Sequence, residues 1–273
     1  DPSRQDQPWI LNVSFIAPHF PLVVPERFFN LYPTDRIDLP EIPPGHLENQ
    51  HAVYKRMRSM FGLIDFPEAH VRRGRAGYYG LITYLDEKIG RFLSVLEETD
   101  QIDNTVVIYT SDHGEMNGEH GMWRKSNFYE ASARVPLQVV WPGHLPSNRR
   151  ITGVVSLVDL VATLVDIAGA SSGVPLDGDS LLPLMLGKAS DWKDTAFSEY
   201  FAHGVDRPMA MLRRGRYKLN YSLGDPPELY DLAEDPNEFR DLARDPKFES
   251  LVEQMQSELL SDWDPVELDR QGR

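Results

Sequence analysis

An acid, an imidazole and a lysine follow one another along the middle of the chain. Residues 105–114 read TVVIYTSDHG, so a run of β-branched and aromatic residues ends in Asp112 and His113. A buried central strand has this composition, and its end holds side chains rigidly. A carboxylate and a neutral imidazole are good ligands for a divalent cation. Lys125 follows on the next loop, where its charge could hold an anion beside the metal, so we expect chemistry on an anionic ester.

Each of these residues also has an ordinary structural role open to it. An acid–imidazole pair at a strand end is also typical of a cap or a salt bridge, and most lysines are solvated. A fourth candidate, His19, lies between Pro18 and Pro21, which leave the local backbone little freedom. A histidine held in this way either bonds a turn carbonyl or serves a functional site.

Hydrophobic periodicity predicts the elements that must position these residues. A helical face recurs from Tyr78 to Leu96, and a second helix begins at a Ser156–Asp159 capping box and runs to Gly169. The segments that predict strands before this point are 9–16, the run from Thr105, and 135–141. Residues 22–67 are rich in proline without a sustained period, which predicts a long loop over the body of the protein.

The pattern changes near residue 190. Short strand-like runs follow at 195–201, 208–213, 216–221 and 228–231, and residues 248–260 have helical spacing. Arg214-Gly215 predicts a hairpin turn between two of these strands. We therefore predict two domains, an α/β portion in residues 1–190 and a small α+β domain, an antiparallel sheet with a packed helix, in residues 191–273.

Composition excludes several classes of function. The formal net charge of −14 argues against a nucleic-acid partner. With no cysteine among 273 residues, the chain can form no disulfide, no thiolate metal site and no cysteine nucleophile. No apolar run approaches the roughly 18 residues of a membrane span. No secretory signal is visible after Asp1, which leaves the compartment open.

Several short motifs occur together in a fixed order. They are PHFP at 18–21, DHG at 112–114, GEHG at 118–121, Lys125, FYE at 128–130, RVP at 134–136, SEY at 198–200, RRGRYK at 213–218 and ELYDLAEDPN at 228–237. This series resembles the sulfatase family of the alkaline-phosphatase-like superfamily, and in particular its choline-sulfatase-like branch. The resemblance extends from Trp9 to about Asp245 and implies an α/β/α sandwich for the first domain.

The resemblance implies a role for each candidate residue. Asp112 and His113 would be ligands of a divalent metal, Ca²⁺ by the family pattern, while the histidine also admits Mn²⁺ or Zn²⁺. Lys125 and His19 would contact the oxygens of a sulfate ester, and one of them would protonate the leaving alcohol. A metal and two cationic groups stabilise the charge that hydrolysis places on these oxygens. Glu119 and His120 are expected to be structural, and Arg134 to be a buried partner of a carboxylate.

The family's nucleophile is missing from this sequence. It is a formylglycine matured from a cysteine in a Cys-x-Pro-x-Arg segment, and Pro2-Ser3-Arg4 is not such a segment. The paired aspartates that complete the family's metal site are missing as well. We therefore predict that this chain is the C-terminal portion of a sulfatase, whose N-terminal portion is its partner and supplies the formylglycine. Homo-oligomerisation remains open.

Two alternative functions remain. The same metal and lysine would suit a phosphonate monoester or phosphodiester hydrolase, since phosphoryl groups need similar stabilisation. The chain could also be a non-catalytic remnant that binds anions or scaffolds a partner. A nucleophile segment would separate the enzymes from the remnant, and relative rates on aryl sulfates and aryl phosphonates would separate the two enzymes.

Overall fold

The chain divides into two compact units. The computed structural model describes residues 7–272, so the Pro2-Ser3-Arg4 segment lies outside the described residues. One unit contains the chain up to Leu39 together with Pro67–Thr99. The other contains Pro40–Phe66 together with the chain from Asp100 onward.

The first unit is built on one long helix. Helix α1 covers Glu26–Phe29, and helix α4 covers Glu68–Glu98 and includes the predicted helical face. Gly80 of α4 lies against the backbone of Phe28, where an added Cβ would come within 3.2 Å of the carbonyl. The absence of a side chain at Gly80 therefore lets α1 approach α4 closely.

The strand predicted at residues 9–16 is wrong. The described part of the chain places no strand there, and most of its apolar side chains are exposed, including Ile10 at 82% and Ile16 at 86%. A strand of this composition is stable only when neighbouring strands satisfy its backbone groups. No described residue pairs with this segment in a sheet.

The predicted loop of residues 22–67 also contains helices. In the second unit, α2 covers His46–Asn49 and α3 covers Ala52–Met60. Val53 and Met57 lie on the buried face of α3, and His51 accepts a hydrogen bond from the Val53 amide at its start. Helix α3 was not predicted because it has only nine residues and prolines dominate the earlier part of the segment.

Two short pairs of strands precede the small sheet. Strand β1, Val107–Thr110, pairs antiparallel with β4, Leu137–Val140. Both are only half-buried, so the predicted buried central position of the Thr105 run is not seen among the described residues. Between them lie the β2–β3 hairpin, Met116–Asn117 with Trp123–Arg124, and helix α5, Glu130–Ala133.

The predicted helix after Ser156 is present as α6. It covers Asp159–Ile167 and is followed by α7, Leu182–Met185. The carboxylate of Asp159 accepts a hydrogen bond from the Ser156 amide at 2.8 Å, which is the acidic half of the predicted capping box. Lys193 neutralises this fully buried acid at 2.7 Å.

The C-terminal part forms the predicted antiparallel sheet with a packed helix. Its elements are β5 Thr195–Tyr200, β6 Met209–Arg214, β7 Tyr217–Ser222, β8 Glu228–Asp231, α8 Glu249–Leu259 and α9 Pro265–Gly272. The strands are ordered β5-β6-β7-β8, and Gly215 opens the β6–β7 turn with a φ of 52°. Leu212 and Leu219 of the sheet share one core with Met255 and Leu259 of α8.

The structure agrees with the predicted fold class, a mixed α/β portion followed by a small antiparallel sheet. The first strand of that sheet begins at Thr195. The exact domain boundary between residues 190 and 191 stays a prediction. Among residues 7–272, no helix is both long enough and apolar enough to cross a membrane.

Candidate active site

Asp112 and His113 converge just beyond strand β1. The Asp112 carboxylate lies 3.5 Å from Nε2 of His113, and its side chain is 83% exposed. The Asp112 Oδ1 atom also accepts a hydrogen bond from the His113 amide at 3.0 Å, which fixes the carboxylate relative to the ring. An oxygen and a nitrogen at this separation can both reach one cation, because each ligand lies about 2.0–2.6 Å from a bound metal.

The hydrogen bonding of His113 would direct a metal to Nε2. Its Nδ1 lies 2.7 Å from the Gly114 carbonyl oxygen. A carbonyl can only accept, so Nδ1 carries a proton, and the tautomer protonated only there presents the lone pair of Nε2. Metal-binding histidines are oriented by this kind of second hydrogen bond.

Gly114 anchors the pair to helix α5. Its amide donates to the Ser132 carbonyl oxygen at 2.7 Å. A Cβ at this position would lie 2.1 Å from the carbonyl oxygen of Ala131, so only glycine fits. The backbone that carries Asp112 and His113 is therefore held against α5.

The donor set fits part of a divalent-metal site. A carboxylate and an imidazole suit Mn²⁺ or Zn²⁺, and a carboxylate also suits Ca²⁺. Within residues 7–272, no group of three or more acidic or imidazole side chains could hold a metal ion. Asp112 and His113 would thus be two ligands of a site that needs further ones.

The β2–β3 hairpin brings Lys125 to the same end as this pair. Met116, three residues after His113, pairs with Arg124, the residue before Lys125. Paired Cα atoms in a sheet lie about 5 Å apart. The segment that carries Asp112 and His113 therefore enters the hairpin at the end where the Lys125 loop leaves it.

Two unusual backbone conformations flank Lys125. Arg124 has a φ of 72° and Ser126 a φ of 78°, although neither is glycine. Each such residue costs about 1 kcal/mol or more, and the cost is tolerated only where surrounding contacts hold it. The Arg124 guanidinium lies 5.4 Å from the centre of the Phe61 ring, and the Ser126 hydroxyl is hydrogen-bonded to the Tyr200 hydroxyl at 2.8 Å.

A buried lysine of the small sheet holds the chain just after this loop. Lys218 is completely buried and donates to the Phe128 carbonyl oxygen at 2.7 Å. It also pairs with Glu130 at 3.0 Å and with the buried carboxylate of Glu238. Burial raises the pKa of Glu238 to about 7, while the ammonium of Lys218 opposes that rise. Strand β7 is thereby fixed to the segment that follows Lys125.

His120 lies at the tip of the hairpin and is structural, as expected. Its ring stacks on Tyr129 with 3.7 Å between the ring centres, and its Nδ1 lies 2.8 Å from Nε2 of His46. Burial, with a smaller effect from His46, lowers the pKa of His120 to about 3.

Glu119 is structural as well, since it accepts from the Asn117 amide at 2.6 Å. Arg134, in contrast, is exposed, so the prediction that it is a buried partner of a carboxylate is wrong.

His19 belongs to the other compact unit. Its Nδ1 lies 2.5 Å from the Phe20 carbonyl oxygen, and its amide donates to Ile16. The turn role that the sequence left open is thus present, and the same bond directs the proton to Nδ1. The association of His19 with the other three candidates rests on the family resemblance.

The residues that hold the Lys125 loop carry no individual signal in the sequence. Tyr200 and Lys218 lie inside the SEY and RRGRYK motifs, but their partners are 74 and 90 residues away. A lysine in an alternating strand is normally solvated, and only its complete burial identifies Lys218 as a structural ion. The two motifs mark Tyr200 and Lys218 in the sequence, but they do not indicate which residues these side chains contact.

Comparison with known proteins defines the family. The family model "Sulfatase" matches residues 2–170, and the model "N-sulphoglucosamine sulphohydrolase, C-terminal" matches residues 118–263. Asp112, His113 and Lys125 lie within the first of these matches. The chain therefore belongs to the sulfatase family.

Two curated relatives show the extent of the likeness. The chain is 38% identical over 240 residues to a choline-sulfatase of Rhizobium meliloti (strain 1021), covering 86% of this chain and 46% of that protein. It is 34% identical over 241 residues to an arylsulfatase of Clostridium perfringens (strain 13 / Type A), covering 86% and 48%. The chain spans about half the length of the curated relatives it matches.

A solved structure supports the fold class. The phosphonate monoester hydrolase SpPMH from Silicibacter pomeroyi superposes with a TM-score of 0.83 at 30% identity. The match covers 95% of this chain and 56% of that one. The fold of this chain is thus shared by sulfatases and by at least one phosphonate hydrolase.

Proposed function

We propose that this chain carries part of the active site of a metal-dependent sulfuric ester hydrolase. The observation that carries the proposal is the Asp112–His113 pair and the Lys125 loop at one end of the β2–β3 hairpin. Both lie in a chain that belongs to the sulfatase family. Two metal ligands beside a cationic side chain suit a substrate whose reacting group is an anion.

Each residue has a distinct task in this proposal. Asp112 and His113 hold a divalent metal, Ca²⁺ by family resemblance, which when bound would polarise a sulfate oxygen. Lys125 contacts a nonbridging sulfate oxygen and stabilises the charge that accumulates there. His19 contacts the ester oxygen and delivers a proton to the leaving alcohol.

The nucleophile comes from outside these 273 residues. The sequence contains no cysteine, so no cysteine-derived formylglycine can form within it. We propose that an N-terminal portion of the same enzyme supplies the formylglycine and the remaining metal ligands. The exposed apolar segment at residues 9–16 supports this partner, because an additional strand would bury it.

Phosphonate monoester hydrolysis is the second candidate. The observation that favours it is the TM-score of 0.83 with SpPMH, which is a phosphonate monoester hydrolase. A metal, a lysine and a histidine can stabilise a phosphonate as well as a sulfate. The curated relatives named above are sulfatases, and we therefore rank the sulfate ester first.

The decisive experiment compares ester types in the complete enzyme. We expect hydrolysis of 4-nitrophenyl sulfate to exceed hydrolysis of 4-nitrophenyl phenylphosphonate in kcat/KM. Lys125→Ala should lower turnover about a hundredfold, the scale of losing one stabilising group of roughly 3 kcal/mol. Lys188→Ala removes an exposed lysine remote in sequence from the site and serves as the matched control.

Two other outcomes would change the assignment, and a third would change only the list of site residues. Preference for the phosphonate would select the second candidate. Activity on neither ester, with no metal retained after gel filtration, would reduce the protein to a non-catalytic anion-binding remnant. Unchanged kinetics in Lys125→Ala would remove Lys125 from the site while leaving the enzyme class intact.

A further inference from the structure

The loop around Lys125 is held on both sides by residues from other elements. Arg124 stacks over Phe61, and Ser126 is 6% exposed with its hydroxyl bonded to Tyr200. Lys125 lies between these two anchors, in a backbone with positive φ on either side. A backbone in this conformation relaxes unless such contacts hold it.

Tyr200 is the centre of the second anchor. Its hydroxyl lies 2.8 Å from Ser126 Oγ, 2.9 Å from the His203 carbonyl oxygen and 3.4 Å from His203 Nδ1. The ring nitrogen Nε2 of His203 is also 3.5 Å from Ser126 Oγ. A phenol hydroxyl has one proton and two lone pairs, and all three of these atoms lie within hydrogen-bond distance of it.

The ring of Tyr200 contributes to packing, whereas its hydroxyl contributes hydrogen bonds. The ring packs against the buried cluster that includes Met122, Phe128 and Tyr129. Replacing tyrosine by phenylalanine keeps this packing and removes only the hydrogen bonds to Ser126 and His203. The hydroxyl can therefore be tested without creating a cavity.

We propose that Tyr200 is a positioning residue for Lys125, acting through Ser126. The last residue of strand β5 thereby fixes the loop that presents the ammonium to the anionic group of the substrate. The catalytic half of this inference rests on the proposed function. The mechanical half, that the Tyr200 hydroxyl holds the loop, does not.

The mechanical half is tested by proteolysis of the complete enzyme. Endoproteinase Lys-C cleaves the 125–126 bond only when the loop opens, and mass spectrometry follows that one product. We expect Tyr200→Phe and Ser126→Ala to speed this cleavage about fivefold, the change from losing one hydrogen bond. The control is Tyr217→Phe, another partly buried tyrosine of the same sheet, which should leave the rate unchanged.

The catalytic half is tested by a double-mutant cycle in the complete enzyme. Tyr200→Phe should lower kcat more than it raises KM, and it should cause no further loss in a Lys125→Ala background. A merely structural effect would reduce activity by the same factor in both backgrounds, which would overturn the proposal. Cleavage at the wild-type rate in both Tyr200→Phe and Ser126→Ala would also overturn it.

The two sources of failure remain separable. If the wild-type enzyme hydrolyses no ester, the proposed function fails, and the proteolysis still decides whether Tyr200 holds the loop. If the wild type is active and Lys125→Ala is impaired while Tyr200→Phe is not, the function stands and this inference fails.

Discussion

At the residue scale, environment rather than residue type separates the candidate metal ligand His113 from the buried His120. The two histidines His113 and His120 are seven positions apart in the sequence but lie in different environments. His113 is partly exposed beside an exposed carboxylate, with its proton directed to Nδ1. His120 is buried between Tyr129 and His46, where a charged ring would be desolvated. The first ring is thus suited to bind a cation, and the second fills a core.

The pKa of His120 predicts a specific pH dependence of stability. Its folded pKa of about 3 lies below the ordinary 6.5, so the unfolded chain binds the proton more readily. The neutral His120 therefore contributes fully to the free energy of unfolding above pH 6.5, and this contribution is lost as the pH falls below 6.5. From pH 7 to pH 5, wild-type protein should lose about 2 kcal/mol of stability relative to His120→Asn.

Urea denaturation at the two pH values measures this difference directly. Asparagine is the chosen replacement because it tolerates the φ of 53° at this position. Burial lowers the pKa of His46 too, whereas it raises that of Glu238, so the wild-type profile alone mixes opposing effects. A stability gap between wild type and His120→Asn that is the same at both pH values would contradict the prediction.

At the element scale, the small sheet holds the segment that follows Lys125. Tyr200 of β5 bonds Ser126, and Lys218 of β7 bonds Phe128 and Glu130. The segment on the C-terminal side of Lys125 thus has contacts with two strands more than 70 residues away. Such long-range contacts place a loop more exactly than its own short hairpin can.

Replacing Lys218 should damage the fold severely. Lys218→Met keeps the volume but leaves the carboxylates of Glu130 and Glu238 without their cation. Removing one partner of a buried ion pair typically destabilises a protein by about 3–5 kcal/mol. We therefore expect a large fall in the thermal midpoint, whereas Arg270→Ala, which breaks an exposed pair with Glu267, should leave the midpoint unchanged.

A second variant checks the cause. Lys218→Met combined with Glu238→Gln removes the buried charge together with its partner and should recover part of the lost stability. If the double variant is as unstable as the two single effects added together, the loss arises from packing and not from the orphaned carboxylate.

At the scale of the whole molecule, the chain exposes an apolar segment that a folded protein normally covers. Ile10, Leu11 and Ile16 are all at least 60% exposed within residues 9–16. Contiguous apolar surface of this kind marks an interaction site or an aggregation hazard. In the proposed function, the N-terminal portion of the enzyme covers it.

Expressed alone, the 273-residue chain should therefore self-associate. Sedimentation velocity should show a broad distribution of species, and Ile10→Thr with Ile16→Thr should shift it toward monomer. Val266→Thr is the control, because Val266 is 65% exposed on helix α9 and lies apart from this segment in sequence. A monodisperse wild-type monomer with a cooperative melt would contradict the prediction.

Much of the fold was predictable because its signals are local. The periodicity of α4, the capping box of α6 and the four short strands after Thr195 all depend on residues within one element. Residues 9–16 show the limit of this reasoning, since their composition predicts a strand that finds no partner among the described residues. Helix α3 was missed because prolines earlier in the same segment dominated the pattern.

The sequence by itself determined the candidate chemistry, through the order and types of Asp112, His113 and Lys125 and the family motifs around them. It also determined that no cysteine nucleophile lies in this chain. Only the tertiary structure decided which groups hold that chemistry in place. The Tyr200–Ser126 bond and the burial of Lys218 join residues far apart in sequence. Local sequence patterns do not predict these long-range contacts, because the free energy of burying a side chain depends on what surrounds it after folding.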